Sequence, residues 1–152
     1  MTQSYQKILV PVDGSKEAEA ALKRAIALAK EDGNVELVIA NVIDTRAIQN
    51  ITSFDNTMID TITEDARQSL ETYKKEATDA GLSNVSYRID YGSPKTMIAT
   101  DIPKEIKADL IVIGATGLNT VERLVVGSVT AFVTRMATID VLVVRCEKLA
   151  QK

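Results

Sequence analysis

Along the chain, short apolar runs alternate with longer segments in which apolar residues recur every three or four positions. The short runs are rich in β-branched residues, as is typical of strands buried on both faces. They lie at residues 8–12, 35–42, 85–89, 110–113 and 141–144. The longer segments are typical of amphipathic helices. They lie at residues 17–30, 57–80, 94–107 and from 127 onward.

This alternation predicts an α/β fold of the pattern βαβαβαβαβ. Because a helical crossover follows each strand, the strands should be parallel and the helices should cover both faces of the sheet. We therefore expect one domain over residues 1–152, built on an open, mostly parallel sheet of five strands. No composition shift or low-complexity tract indicates a second domain.

Local signals mark where the helices begin and end. Ser15 is placed to cap the first helix, and Gly33 to end it. Ser93 and Pro94 are typical of a cap followed by proline at the first helical position, whereas Pro103 should kink or shorten the same helix. The polar stretch at 44–56 is long for an unstructured connection, so a lid, a short helix or a mobile loop is expected.

Composition narrows the possible chemistry. The 152 residues include 18 basic and 21 acidic side chains, one cysteine and no histidine. The net charge of -3 argues against nucleic acid or an anionic membrane as a partner. The lack of histidine excludes Ser-His-Asp and Cys-His catalysis and imidazole metal sites. The single thiol and the polar N-terminus lead us to expect a reducing, cytoplasmic location.

A glycine-spaced segment between the fourth strand and the last helix carries the strongest chemical signal. Its spacing, G-x2-G-x9-G-S, is set by Gly114, Gly117, Gly127 and Ser128. Glycine lets the backbone come close to a phosphate, and a helix start offers unpaired N–H groups, to which Thr130 could add a hydroxyl. The segment predicts a phosphate site, although the same glycines could simply turn the chain and cap a helix.

Residues that follow the other strands are candidates as well, because open α/β sheets bind ligands beyond the carboxyl ends of their strands. Asp13 follows the first strand and Val42 ends the second. Either residue has a plainer interpretation, since Asp13 could initiate the next helix and Val42 could belong to the core. The P-loop and the G-x-G-x-x-G motif are both absent.

Several segments in order together resemble the universal stress protein (UspA-like) family over nearly the full length. They are KILVPVDGS at 7–15, NVID at 41–44, GSP at 92–94, ADLIVIG at 108–114, the glycine-spaced segment, and VLVVR at 141–145. Because the glycine-spaced segment is complete, the chain resembles the ATP-binding branch of that family. The resemblance implies a Rossmann-like sheet with strand order 3-2-1-4-5.

The resemblance also implies a site and an assembly. Phosphates would lie on the glycine-spaced segment, the ribose and adenine side on Asp13, and the adenine on Val42. The full set of implied ATP contacts is Pro11, Val12, Asp13, Val42, Gly114, Thr116, Gly117, Gly127, Ser128, Val129 and Thr130. The expected protein is a nucleotide-dependent regulator of the stress response, with Mg²⁺ or Mn²⁺ accompanying ATP and at most slow hydrolysis. A homodimer through Val141–Val144 is expected.

Three positions depart from the family pattern. Asn41 stands where members often have histidine, Ala115-Thr116 replaces a common Ser-His or Ser-Arg pair, and Asp140 replaces a proline. These departures keep open a second hypothesis, a dimeric interaction module of the same fold that does not bind nucleotide. A third hypothesis, a phosphoacceptor receiver domain, needs clustered acids after the first strand, where Asp13 stands alone.

Overall fold

Helices cover both faces of a parallel sheet in the computed structural model, which describes residues 4–46, 56–116 and 126–146. The strands of this part of the chain are β1 (Lys7–Pro11), β2 (Glu36–Asp44), β3 (Val85–Gly92), β4 (Leu110–Gly114) and β5 (Asp140–Val144). The helices are α1 (Lys16–Asp32), α2 (Asn56–Asp79), α3 (Pro94–Thr96), α4 (Ile102–Ile106) and α5 (Ser128–Met136). A π-helical turn, Met97–Asp101, joins α3 to α4.

The strand order is β3-β2-β1-β4-β5, and all neighbouring strands pair in parallel. The prediction of an open parallel α/β sheet with order 3-2-1-4-5 is therefore confirmed. The chain builds outward from β1 to β3 and then returns to place β4 on the other side of β1. The topological switch point lies between β1 and β4, where sheets of this class hold their ligands.

Alternate residues of the central strands face opposite layers of helices. Ile8 and Val10 of β1 lie in a buried cluster with residues of α1 and α2, such as Leu22 and Leu70. Leu9, between them, lies in a second cluster with residues of α4 and α5. This two-sided burial explains why the strands are continuous apolar runs instead of alternating ones. None of the described helices is both long and apolar enough to span a bilayer.

The helix signals in the sequence are mostly confirmed. Ser15 caps α1, and its Oγ accepts a hydrogen bond from the Ala18 N–H at 3.1 Å. Gly33 ends α1 with a φ of 85°. Ser93 stands at the start of α3, but its side chain makes no capping hydrogen bond. Thr45 and Arg46 are helical, whereas the rest of the polar stretch up to residue 55 lies outside the described residues.

The sequence predicts that Pro103 kinks or shortens its helix, and the structure shows a π-helical turn just before the proline. Pro103 has no N–H, and its ring would collide with the carbonyl four residues earlier in a regular α-helix. The backbone instead widens into the π-helical turn, in which the Ile102 N–H donates to the Met97 carbonyl. The widened turn adds one residue and so shifts the following side chains by about 100° around the helix axis.

The two edges of the sheet differ in character. On β3, Arg88 forms a bidentate ion pair with Asp90, with N–O distances of 2.7 and 2.8 Å. Arg88 also forms an ion pair with Glu105. Inward-pointing charges of this kind discourage pairing with another strand. On β5, by contrast, the half-buried residues of the strand interior are Val141, Leu142 and Val143. The interior of the β5 edge therefore lacks a charged pair like that on β3, although the exposed Asp140 stands at the start of the strand.

Candidate functional site

The ladder between β1 and β4 stops at the switch point. It joins Ile8 to Leu110 and Leu9 to Ile111. Because the Val12 N–H donates to the Ala40 carbonyl of β2 at 2.8 Å, the preceding residue, Pro11, faces β4. Pro11 has no N–H to donate, so the hydrogen-bonded ladder ends where the predicted ligand site begins. The Val12 side chain is buried on the face of the sheet that α1 covers.

Asp13 is exposed at the carboxyl end of β1. Its Oδ1 accepts a hydrogen bond from the Ser15 N–H at 3.0 Å, and Gly14 between them has a φ of 87°. This arrangement is a local turn in which an aspartate side chain bonds the backbone two residues on. The turn delivers the chain to the cap of α1, so Asp13 has a structural role in addition to any contact with a ligand.

Gly114 is required by close packing at the end of β4. A Cβ atom added at Gly114 would lie 2.8 Å from both the carbonyl carbon and the carbonyl oxygen of Glu17. Contacts this short between carbon and backbone atoms are not tolerated without a shift of α1 or β4. The glycine therefore allows the first turn of α1 to lie directly against the sheet, a reason that the sequence spacing did not reveal.

Glu17 itself is a buried residue that sequence reasoning missed. It is only 7% exposed, and its Oε1 accepts a hydrogen bond from the Cys146 N–H at 3.2 Å, just after β5. A signal for this burial is present, since Glu17 lies four residues before Ala21 on the apolar stripe of α1. The carboxylate thus links α1 to the chain segment that follows the edge strand.

Hydrogen bonds join the two ends of the glycine-spaced segment. The Gly127 N–H donates to the Ala115 carbonyl at 2.8 Å, and the Ala115 N–H donates to the Val144 carbonyl at 2.9 Å. The buried Thr130 hydroxyl donates to the Gly114 carbonyl at 2.7 Å. The start of α5 is therefore fastened to the end of β4. The hydroxyl proton of Thr130 is already used in this bond and is not the spare donor that the sequence suggested.

The remaining residues of the segment differ in exposure. Thr116 is buried, with 9% of its surface exposed, whereas Ser128 is exposed. Gly117 lies outside the described residues. The structure therefore brings Gly114, Thr116, Gly127 and Ser128 together at the carboxyl ends of the strands. The role of Gly117, the second glycine of the motif, stays a prediction.

The start of α5 presents backbone donors that have no acceptor within the helix. Gly127 stands at the N-cap in an extended conformation and has no side chain with which to cap the helix. The first backbone bond of the helix runs from the Ala131 N–H to the Gly127 carbonyl at 2.9 Å. The N–H groups of Ser128, Val129 and Thr130 precede it and have no acceptor within the helix. With no acidic residue in its first turn, this helix start is suited to an anion.

An apolar surface lies on the same side of the sheet. Val42, Val129 and Met97 are each half-buried and pack against the cluster that fills this face. They come from the end of β2, the start of α5 and the π-helical turn. The sequence predicts that Met97 lies in an ordinary amphipathic helix over residues 94–107, because the π-helical turn that positions it leaves no periodic signal.

Strand order, helices on both faces and a helix start at the switch point define a doubly wound α/β protein. Residues 4–145 match the profile described as the universal stress protein family. The chain is also 44% identical over 146 residues to a Staphylococcus aureus (strain USA300) protein that carries a provisional universal stress protein name, covering 96% of this chain and 87% of that one. The chain belongs to the universal stress protein family.

Solved structures extend this similarity to three dimensions. The hypothetical protein MJ0577 superposes with a TM-score of 0.84 at 35% identity, over 95% of this chain and 98% of the other. A universal stress protein crystallised in complex with cAMP superposes with a TM-score of 0.63 at 30% identity, over 93% and 98% of the two chains. The second of these proteins binds an adenine nucleotide.

Proposed function

We propose that this chain binds ATP at the β1–β4 switch point and acts as a nucleotide-dependent regulator in the stress response. The observation that carries the proposal is the uncapped start of α5, fastened to the end of β4 by the Gly127–Ala115 and Thr130–Gly114 hydrogen bonds. A helix start held in this way offers several fixed N–H donors to phosphate oxygens. The cAMP complex of a relative supports an adenine nucleotide as the ligand.

The rest of the nucleotide would lie along the carboxyl ends of the strands. The exposed carboxylate of Asp13 is available to the ribose side, and the half-buried Val42 offers an apolar contact to the base. Pro11 and Val12 form the end of β1 against which the nucleoside would rest. For Thr130, the proposal assigns the backbone N–H and not the hydroxyl, because Gly114 already accepts that hydroxyl proton.

A divalent cation fits this arrangement as a companion of the phosphates. Among the described residues, no group of three or more carboxylate or cysteine side chains is placed to hold a metal ion. Mg²⁺ commonly keeps several waters and is bound through substrate phosphates with few protein ligands. We propose Mg²⁺ or Mn²⁺ bound in this way, and at most slow hydrolysis, since the chain has no histidine to serve as a general base.

We also propose that two copies pair through β5. The interior of β5 offers the half-buried apolar residues Val141, Leu142 and Val143, whereas the edge at β3 carries the Arg88–Asp90 pair. The Val144 carbonyl accepts from Ala115 on the β4 side, so the backbone groups of Val143 face away from the sheet. A second β5 could pair with them about a two-fold axis. The lone thiol supports placing this dimer in the reducing cytoplasm.

The test of ATP binding uses the full-length chain. Denaturing the purified protein should release adenine nucleotide, or titration of the apoprotein with ATP and Mg²⁺ should give heat of binding. Gly127→Val should abolish binding by placing a side chain in the phosphate position. The variant should still fold, because φ and ψ of −61° and 159° at Gly127 lie in a region that valine adopts readily.

The outcomes separate the two candidate functions. A folded wild-type protein that releases no nucleotide and gives no heat at millimolar ATP contradicts ATP binding and favours an interaction module of the same fold. Unchanged ATP binding by Gly127→Val shows that the phosphates lie elsewhere. The receiver hypothesis is disfavoured by the fold itself, because β2 separates the strand before Asp13 from the strand that carries Asp90.

A further inference from the structure

The side chain of Met97 lies at the carboxyl end of the β2–β3 pair. Its Cγ and Sδ atoms are each 3.5 Å from the position that a Cβ at Gly92 would occupy. Gly92 has a φ of 150°, which few other residues adopt, and is the register partner of Asp44 at the end of β2. The thioether of Met97 therefore packs against the backbone of Gly92. The register partner of Gly92, Asp44, lies two residues after Val42 on β2.

The elements that carry and precede Met97 pack against α5. Both α3 and the π-helical turn contact α5, and α3 also contacts β2. Met97 is half-buried, whereas the next residues of the turn, Ile98 and Ala99, are 6% and 1% exposed. The π-helical turn thus keeps a long apolar side chain partly open at the same edge as Val42 and Val129, while its neighbours complete the core.

We propose that Met97 is a specificity-determining residue whose thioether contacts the base of the bound nucleotide. The inference rests on the proposed function and names the side chain that, with Val42, would enclose the base. A methionine suits this position because sulfur makes favourable contacts with aromatic rings and its three flexible bonds adapt to a flat ligand. The contact would favour a large purine ring over a smaller pyrimidine.

A plain packing role for Met97 makes a different prediction. A residue that only fills the core would, when truncated, destabilise the protein and weaken every ligand of the site alike. A residue that contacts the base would weaken ATP without weakening tripolyphosphate, which carries the same phosphate chain and no base. The ratio of the two affinities therefore distinguishes the roles even if the variant is less stable.

The experiment compares wild type, Met97→Ala, Met97→Leu and Met136→Ala by calorimetry with ATP, CTP and tripolyphosphate in Mg²⁺. Met136 is a matched control, since it is 48% exposed at the far end of α5. We expect Met97→Ala to bind ATP about tenfold more weakly, equivalent to about 1.4 kcal/mol. Its affinity for tripolyphosphate should be unchanged, and its preference for ATP over CTP should shrink. Met97→Leu should recover most of the loss, and Met136→Ala should resemble wild type.

Each contrary result has its own meaning. If wild type binds ATP and Met97→Ala binds it within twofold, the inference about Met97 is wrong and the proposed function stands. If ATP and tripolyphosphate weaken equally, Met97 has only a packing role. If wild type binds tripolyphosphate no more weakly than ATP, the base has no pocket and the inference fails. If wild type binds neither ligand, the proposed function is wrong, and the inference falls with it.

Discussion

Gly114→Ala tests whether the end of β4 is glycine because of packing or because of a ligand. The new Cβ would lie 2.8 Å from two backbone atoms of Glu17, and neither atom can move without moving α1. Overpacking of this kind costs about 1–3 kcal/mol. For a chain of this size, the melting temperature should fall by roughly 2–12 °C. Urea unfolding followed by circular dichroism, without nucleotide, measures the change directly.

Two controls make the result specific. Ser128→Ala should alter the free energy of unfolding by less than about 0.5 kcal/mol. Ser128 is exposed, and no side-chain bond caps the helix at the neighbouring Gly127. Glu17→Ala should not rescue Gly114→Ala, because the clash is with the backbone of Glu17. If Gly114→Ala unfolds at the same urea concentration as wild type, close packing is refuted as the reason for this glycine.

Further predictions concern other contacts of the same fold. Thr130→Val should lower the free energy of unfolding by about 1–3 kcal/mol in urea, because the Gly114 carbonyl loses its donor, whereas Thr130→Ser should cost less. Burial, reinforced by Glu19, raises the pKa of the Tyr73 hydroxyl. The stability that Tyr73 contributes is fully present below about pH 10 and is lost as the pH rises further. In denaturant titrations at alkaline pH, the free energy of unfolding of Tyr73→Phe should therefore fall less steeply with pH than that of wild type. Val143→Pro should yield a folded monomer in sedimentation, because proline removes the outward N–H that a second β5 would need.

The elements that local sequence signals define were predicted well. The first helix has a cap at Ser15, an apolar stripe and a glycine stop at Gly33, and α1 follows these signals closely. The strands were placed correctly, but the second and third were predicted to end too early, because β2 and β3 continue together up to the Asp44–Gly92 pair. The length of a strand depends on its neighbour's pairing, which a single run of residues does not encode.

Features that arise between distant segments were not predictable in the same way. The reason for Gly114 lies in Glu17, 97 positions earlier in the sequence, and the partner of the Glu17 carboxylate lies after β5. Likewise, Pro103 signalled a disturbed helix, but the π-helical turn, with Ile98 buried within it and Ile102 buried just after it, has no local signal of its own. The sequence thus predicted a candidate site at the carboxyl ends of the strands. It did not predict the contacts between distant segments that shape this site.

In the proposed dimer, the unequal edges of the sheet would limit how far the assembly can grow. Pairing through β5 uses up the single apolar edge of each copy and leaves the charged edge at β3 outermost on both sides. In that dimer, two copies would share one continuous sheet of ten strands, and neither end would offer a template for a third copy. The proposed dimer would therefore be a closed assembly that cannot extend into a fibre through the edges of its sheet.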